Sequence, residues 1–133
     1  MTLVVDASVA AKWVLPEDGA DKAAILRHEP DDFIAPSLIV AEIGNAVWKR
    51  VIGKELSTAD ALQAHEIAIS LLGRLVPLEE LGARATEIAI ELRHPIYDCF
   101  YLALAERENT TLVTSDPRLL RATRDAKFKM RKL

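Results

Sequence analysis

The chain has 133 residues and a formal net charge of −3; half of its residues are hydrophobic and 28% are charged. That length fits one domain over residues 1–133 with a sizeable core, and the charge balance excludes a disordered chain and a generically basic nucleic-acid binder. The single cysteine, Cys99, excludes an intrachain disulfide, and without a basic leader or an apolar run of ~20 residues the expectation is a cytoplasmic protein with no membrane partner.

The first predicted strand is Leu3–Val5, a short β-branched run that stops on Asp6. "SVAAKWVL" then reads as a helix, and "GADKAAILRHE" as a second helix ahead of a strand at Phe33–Ala35. "PSLIVAEIGNAVWKRVIGK" opens with Pro36, which predicts a helix with proline in its first turn. "STADALQAHEIAISLLGRL" begins with Ser57, Thr58 and Asp60, the usual capping chemistry, and leads to a strand at Leu75–Pro77. "ELGARATEIAIELRH" runs up to Pro95, and "PIYDCFYLALAEREN" starts a further helix there. Leu112–Thr114 is the fourth strand, "DPRLLRATRD" the last helix and Phe128–Met130 a weak fifth strand. Fully apolar strands alternating with helices predict an α/β fold, a three-layer sandwich whose four- to five-stranded parallel sheet has helices on both faces.

Four acids stand out. Asp6 and Asp116 follow strands, and in an open parallel sheet the ligand crevice lies outside the carboxyl ends of the strands. Each also fits a helix cap, Asp116 all the more because Pro117 follows it. One oxygen can accept a backbone N–H while the other faces a cation, so the two roles are compatible. Asp98 shares a helix face with Tyr101, Leu102 and Ala105, opposite Arg107. A carboxylate on an apolar face needs a partner, because burying an unpartnered ion costs several kcal/mol. No lysine or arginine is obvious for that place, and a metal would serve. Glu42 is less distinctive: Val40, Ile43, Val47 and Val51 form a stripe opposite it, so periodicity alone makes it a solvated glutamate.

The other polar residues carry less. His28, His65 and His94 read as surface or helix-end residues, Cys99 as a small buried hydrophobe, and Trp13 and Trp48 as core or interface anchors. No Gly-rich phosphate loop and no Ser-His-Asp or Cys-His arrangement is suggested. From Arg118 to the end, seven basic residues face one acid. Lys127, Lys129 and Arg131 are candidate RNA contacts in that run, although lysine-rich edge strands are common without any ligand.

In the order Asp6, Glu42, Asp98, Asp116, the segments "VVDAS", "VAEIGNAVWK", "IYDCFYLALAE" and "LVTSD" closely resemble the PIN-domain family, and within it the VapC-type toxin ribonucleases of toxin–antitoxin pairs. The likeness covers essentially the whole chain. It implies a metal-dependent endoribonuclease whose acids converge on Mg²⁺ or Mn²⁺, with Asp6, Glu42 and Asp98 as core acids and Asp116 as a more variable fourth. It implies Ser8 and Thr114 as hydroxyls supporting the acids. It further implies a homodimer and a VapB-like antitoxin that inhibits the enzyme in a heterotetramer or larger complex. An all-oxygen donor set without a His or Cys cluster suits Mg²⁺ or Mn²⁺ rather than zinc. The alternative is a catalytically silent PIN-like module that binds RNA or protein. A receiver- or phosphatase-like domain would need a lysine after the fourth strand, where this chain has "TSDPR".

Overall fold

The computed structural model describes residues 1–133. In chain order its elements are β1 (Thr2–Val5), α1 (Ala7–Ala10) running into a 3-10 turn (Ala11–Trp13), α2 (Ala20–Leu26), β2 (Asp32–Pro36), α3 (Ile39–Ile52), α4 (Thr58–Ser70), β3 (Arg74–Val76), α5 (Leu78–Leu92), α6 (Ile96–Arg107), β4 (Leu112–Thr114), α7 (Pro117–Ala122) and β5 (Met130–Lys132). All five strands are parallel, in the order β3-β2-β1-β4-β5. At the centre Val4 lies between Ile34 and Leu112, and Val5 beside Val113. Successive residues of a strand point to opposite faces. Val4 and Val5, Ile34 and Ala35, and Leu112 and Val113 are all buried, so both faces of the sheet are covered.

The helices start where the local chemistry permits. Ser57 caps α4 by accepting the Asp60 N–H at 3.0 Å, and Pro95 sets the start of α6. Pro36 does not start a helix. It is the last residue of β2, and α3 begins three residues later at Ile39 with no side-chain cap. The buried stripe also differs from the predicted one: Ile39, Ile43 and Val47 enter the core, while Val40 is exposed. The fifth strand lies two residues beyond its predicted place, at Met130–Lys132. α6 is buried nearly all round, contributing Cys99, Tyr101, Leu102, Ala103, Leu104 and Ala105, because α5 packs along it on the side away from the sheet. Salt bridges from Arg84 to Glu106 and from Arg107 to Glu80 tie these two helices together at the surface.

Trp13 is a core anchor as expected: its ring stacks obliquely on Phe33, with centroids 4.9 Å apart, and its Nε1 donates to the Ala23 carbonyl. Trp48 is instead 54% exposed on α3. No helix is long and apolar enough to cross a membrane.

Candidate active site

β1 is followed in sequence by β2 on one side of the sheet and flanked by β4 on the other. Strand order therefore reverses between β1 and β4, which is where a parallel sheet leaves a crevice at its carboxyl edge. Asp6 leaves β1 at that point and Asp116 follows β4 by two residues. α6 lies against β1, β2 and β4 and brings Asp98 in its first turn to the same edge. Glu42, in the first turn of α3, completes the set. Glu42, Asp98 and Asp116 line one cleft of about 510 Å³ together with His94, Tyr97, Arg118 and Arg121. Asp6 is buried, close enough to Asp98 and Glu42 for their charges to act on one another.

Each carboxylate is anchored by a specific donor. Asp6 caps α1, its Oδ1 accepting the Val9 N–H at 3.3 Å. The Ser8 hydroxyl donates to the same oxygen, and the Thr114 hydroxyl donates to Oδ2. Both hydroxyl oxygens in turn accept backbone N–H groups, Ser8 from Ser115 and Thr114 from Asp116, each at 3.0 Å. Thus Asp6 is fixed by a network that also holds the β4–α7 loop. Asp116 caps α7 by accepting the Arg118 N–H at 2.9 Å. The capping and site readings of these two aspartates describe one geometry.

Glu42 is not a freely solvated glutamate. The buried Tyr101 hydroxyl donates to its Oε1 at 2.6 Å. Asp98 keeps the face it shares with Tyr101, but at 27% side-chain exposure it stands at the mouth of the cleft rather than in the core. Its partner inside the protein is His94, whose Nε2 lies 2.7 Å from Oδ2. The local backbone explains this contact. Arg93 ends α5 in the left-handed conformation at φ 51°, and Pro95 restarts the helix, so His94 sits one turn before Asp98. The sequence signal for His94 is its i, i+4 spacing to Asp98 across Pro95. Tyr101 has no comparable signal, since its partner lies 59 residues away.

Charge follows from this crowding. Burial pushes the Asp6 carboxyl from 3.8 up to about 6, against the pull of its Ser8, Thr114 and Val9 hydrogen bonds. Burial also raises Glu42, with Asp98 and Asp6 adding to the rise and the Tyr101 hydroxyl opposing it. Tyr101 is held well above its ordinary value by burial and by the Glu42 charge. Cys99 is buried beside Asp98 and its thiol is pushed up to about 11, as befits an inert core cysteine.

The donor set suits a hard cation, since every acid offers oxygen only. No group of three or more His, Cys, Asp or Glu side chains is gathered tightly enough to enclose an ion by itself. Mg²⁺ does not require such a cage, because it keeps several waters and takes one or two protein carboxylates. Glu42, Asp98 and Asp116 each have one oxygen tied within the protein and one without a protein partner.

The basic C-terminal residues divide between two places. Arg118 and Arg121 line the acidic cleft. Lys127 and Lys129 lie beside Asn109 and Thr110, at the amino end of β4 and so at the opposite edge of the sheet. There Lys129 donates to Asn109 Oδ1 at 2.8 Å. Arg131 is held by both oxygens of Glu29, at 2.6 and 3.1 Å. The structure therefore does not bring Lys127, Lys129 and Arg131 together with the acids.

A parallel sheet with carboxylates gathered at its switch point defines an acidic site of the α/β class, built of oxygen donors. The PIN-domain family profile matches residues 3–125, and the chain belongs to that family. It is 34% identical over 123 residues to Ribonuclease VapC1 of Mycobacterium tuberculosis, covering 90% of this chain and 89% of that one. A solved protein from Pyrobaculum aerophilum superposes with a TM-score of 0.68 at 27% identity, covering 92% of this chain and 87% of its own. The VapBC2 complex of Rickettsia felis, bound to a DNA fragment of its promoter, gives 0.70 at 16% identity over 100% of this chain and 99% of that one, a likeness of fold.

Proposed function

We propose that residues 1–133 act as one PIN domain, a Mg²⁺- or Mn²⁺-dependent endoribonuclease and the toxin of a toxin–antitoxin pair. The observation that carries this reading is the convergence of Glu42, Asp98 and Asp116 on one cleft with Asp6 buried beside it. The likeness to Ribonuclease VapC1 across nearly the whole chain supports the substrate class. By the same resemblance, and by the fold shared with a VapBC complex, the partner is a VapB-like antitoxin that inhibits the enzyme within a homodimer-based assembly.

Asp6, Glu42, Asp98 and Asp116 are the residues that would hold the ion. A divalent ion bound there supplies charge neutralisation at the scissile phosphate and a more acidic water. The chain's own contribution is orientation. Tyr101 holds one oxygen of Glu42 and His94 one oxygen of Asp98, which leaves the second oxygen of each acid without a protein partner. Ser8 and Thr114 donate to Asp6 and pull its carboxyl down against the rise that burial imposes. The crowded negative charge repels RNA until a cation offsets it, which ties substrate binding to loading of the site.

The test is cleavage of a labelled single-stranded RNA by the purified chain, with Mg²⁺, with EDTA and with Mn²⁺ added back. Cleavage that needs the ion and returns with it is the expected outcome. Cleavage undiminished in EDTA would remove the metal mechanism, and no cleavage under any condition would leave the silent-module alternative.

A further inference from the structure

We propose that the RNA path is a two-part groove for a single strand. Arg118 and Arg121 grip phosphates on one side of the acids, Tyr97 stacks an unpaired base at the divide, and Lys49 receives the strand on the other side. The proposal rests on the nuclease reading above and names how that site selects its substrate.

Two clefts meet at the acidic site. The cleft of about 510 Å³ that contains Asp98 and Asp116 shares Glu42 and Tyr97 with a second cleft of about 640 Å³ between the α1 region and α3. Tyr97 is 62% exposed, immediately precedes Asp98, and has neither an aromatic neighbour nor a hydrogen-bonded hydroxyl. A single exposed aromatic is ordinary on a protein surface. This one stands at the junction of both clefts, beside the carboxylates, where its ring offers an unpaired base a face to stack on.

The cations around it are placed to take phosphates. Arg121 is exposed and has no ion-pair partner, and Arg118, 78% exposed, has only a long 3.6 Å approach to Asp116. Both face the cleft that holds the acids, so their donors are available to a bridging anion. In the second cleft Lys12 and Arg50 are both tied to Glu17, which leaves Lys49, exposed and unpaired, as the free cation. Cations at both ends and an aromatic ring between them match the requirements of single-stranded RNA, whose unstacked bases can lie on a side-chain ring. A duplex offers no unpaired base to Tyr97.

The experiment measures fluorescence anisotropy of a labelled single-stranded oligoribonucleotide on the full chain with Mg²⁺, in an Asp98→Asn background that binds without cutting. Tyr97→Leu is expected to weaken binding roughly five- to hundred-fold, and Tyr97→Phe to retain it. Arg118→Gln with Arg121→Gln is expected to lower the slope of log affinity against log salt by about 1.4, for two single-strand phosphate contacts. A duplex of the same sequence should bind more weakly and ignore Tyr97. An unchanged slope, or Tyr97→Leu binding as tightly as its parent, overturns the groove. So does a slope that falls only when Lys127 and Lys129 are neutralised instead. If RNA cleavage by the unmutated chain persists in any of these cases, the groove alone is wrong. If the chain never cleaves RNA yet binds it through Tyr97 and the two arginines, the groove stands and the nuclease reading is wrong.

Discussion

Replacing Asp6 with asparagine should make the metal-free protein more stable at neutral pH while destroying its activity. Asp6 is 5% exposed, and burial lifts its carboxyl from 3.8 to about 6. A carboxyl raised on folding binds its proton more tightly in the folded chain than in the unfolded one. The stability it contributes is therefore fully present below the unfolded value of 3.8 and is lost as pH rises through about 6. At 1.36 kcal/mol per pH unit, the full difference is about 3 kcal/mol. Above about pH 7 the metal-free wild type bears all of it. In Asp6→Asn the side chain retains an oxygen for the Val9 N–H and gains an amide that can donate to a hydroxyl oxygen, so the cap and the shape survive.

Urea unfolding in EDTA gives the measurement. At about pH 7.5 the variant should exceed the wild type by about 2–3 kcal/mol, and at about pH 4 the two should nearly coincide. Saturating Mn²⁺ should narrow or invert the gap, since an ion that binds the native wild type preferentially stabilises it by mass action. A variant no more stable than wild type at pH 7.5, or a gap that persists unchanged into acid, would refute the idea of an electrostatically strained Asp6.

Four further outcomes are expected. Asp98→Asn should abolish RNA cleavage while its circular dichroism spectrum matches wild type; wild-type rates in Mg²⁺ would remove Asp98 from the ligand set. Tyr101→Phe removes the hydrogen bond that opposes the rise of the Glu42 carboxyl, so the acid limb of the pH–rate profile should move to higher pH, and a limb that stays in place counts against Glu42. His94→Ala should weaken Mn²⁺ binding, read by calorimetry, about 10–100-fold, as is usual when the group orienting a ligand is lost. Cys99, buried with its thiol at about 11, should resist Ellman's reagent in the native protein and react on unfolding; rapid native reaction would show that the first turn of α6 opens.

Whereas β5, with Arg131 and Lys132, was placed two residues early, the central strands β1, β2 and β4 were legible because each carries a short apolar run, and such runs have few other uses in a parallel sheet. Their carboxyl ends then located Asp6 and Asp116. Glu42 was illegible from periodicity because the apolar residues of α3 allow two stripes, and only the burial of Ile39 rather than Val40 separates them. A stripe drawn through Val40 points Glu42 at solvent, whereas the observed stripe through Ile39 and Ile43 leaves it half-buried against Tyr101. The resemblance, which reads position in a family rather than amphipathicity, placed Glu42 among the acids. His94 could be found locally by its spacing to Asp98, but only by testing histidine as a partner of a carboxylate rather than as a metal ligand. The basic tail shows the opposite problem. Its charge is plain in the sequence, yet which end of the sheet each residue reaches depends on tertiary pairing, as Arg131 on Glu29 and Lys129 on Asn109 demonstrate.

The same side chains serve stability and chemistry in unequal ways. Asp116 contributes a helix cap through one oxygen and leaves the other unpartnered, so its structural role costs nothing at the site. Asp6 differs: both of its oxygens are engaged and its charge is still unfavourable. Burial outweighs three hydrogen bonds there, which means that the fold alone does not favour an ionised Asp6 near pH 6. A positive charge delivered to the cleft does. Glu42 is biased the same way by burial and by its neighbours. Under the proposed metal-dependent function, a cation bound beside these acids would offset that unfavourable charge, and the relief would add to its affinity. An asparagine at position 6 would bury no charge, but it would leave one acceptor oxygen where Ser8 and Thr114 now donate to two. The acid at that position is a stability cost as pH rises through about 6, a cost that the proposed cation-binding role would offset.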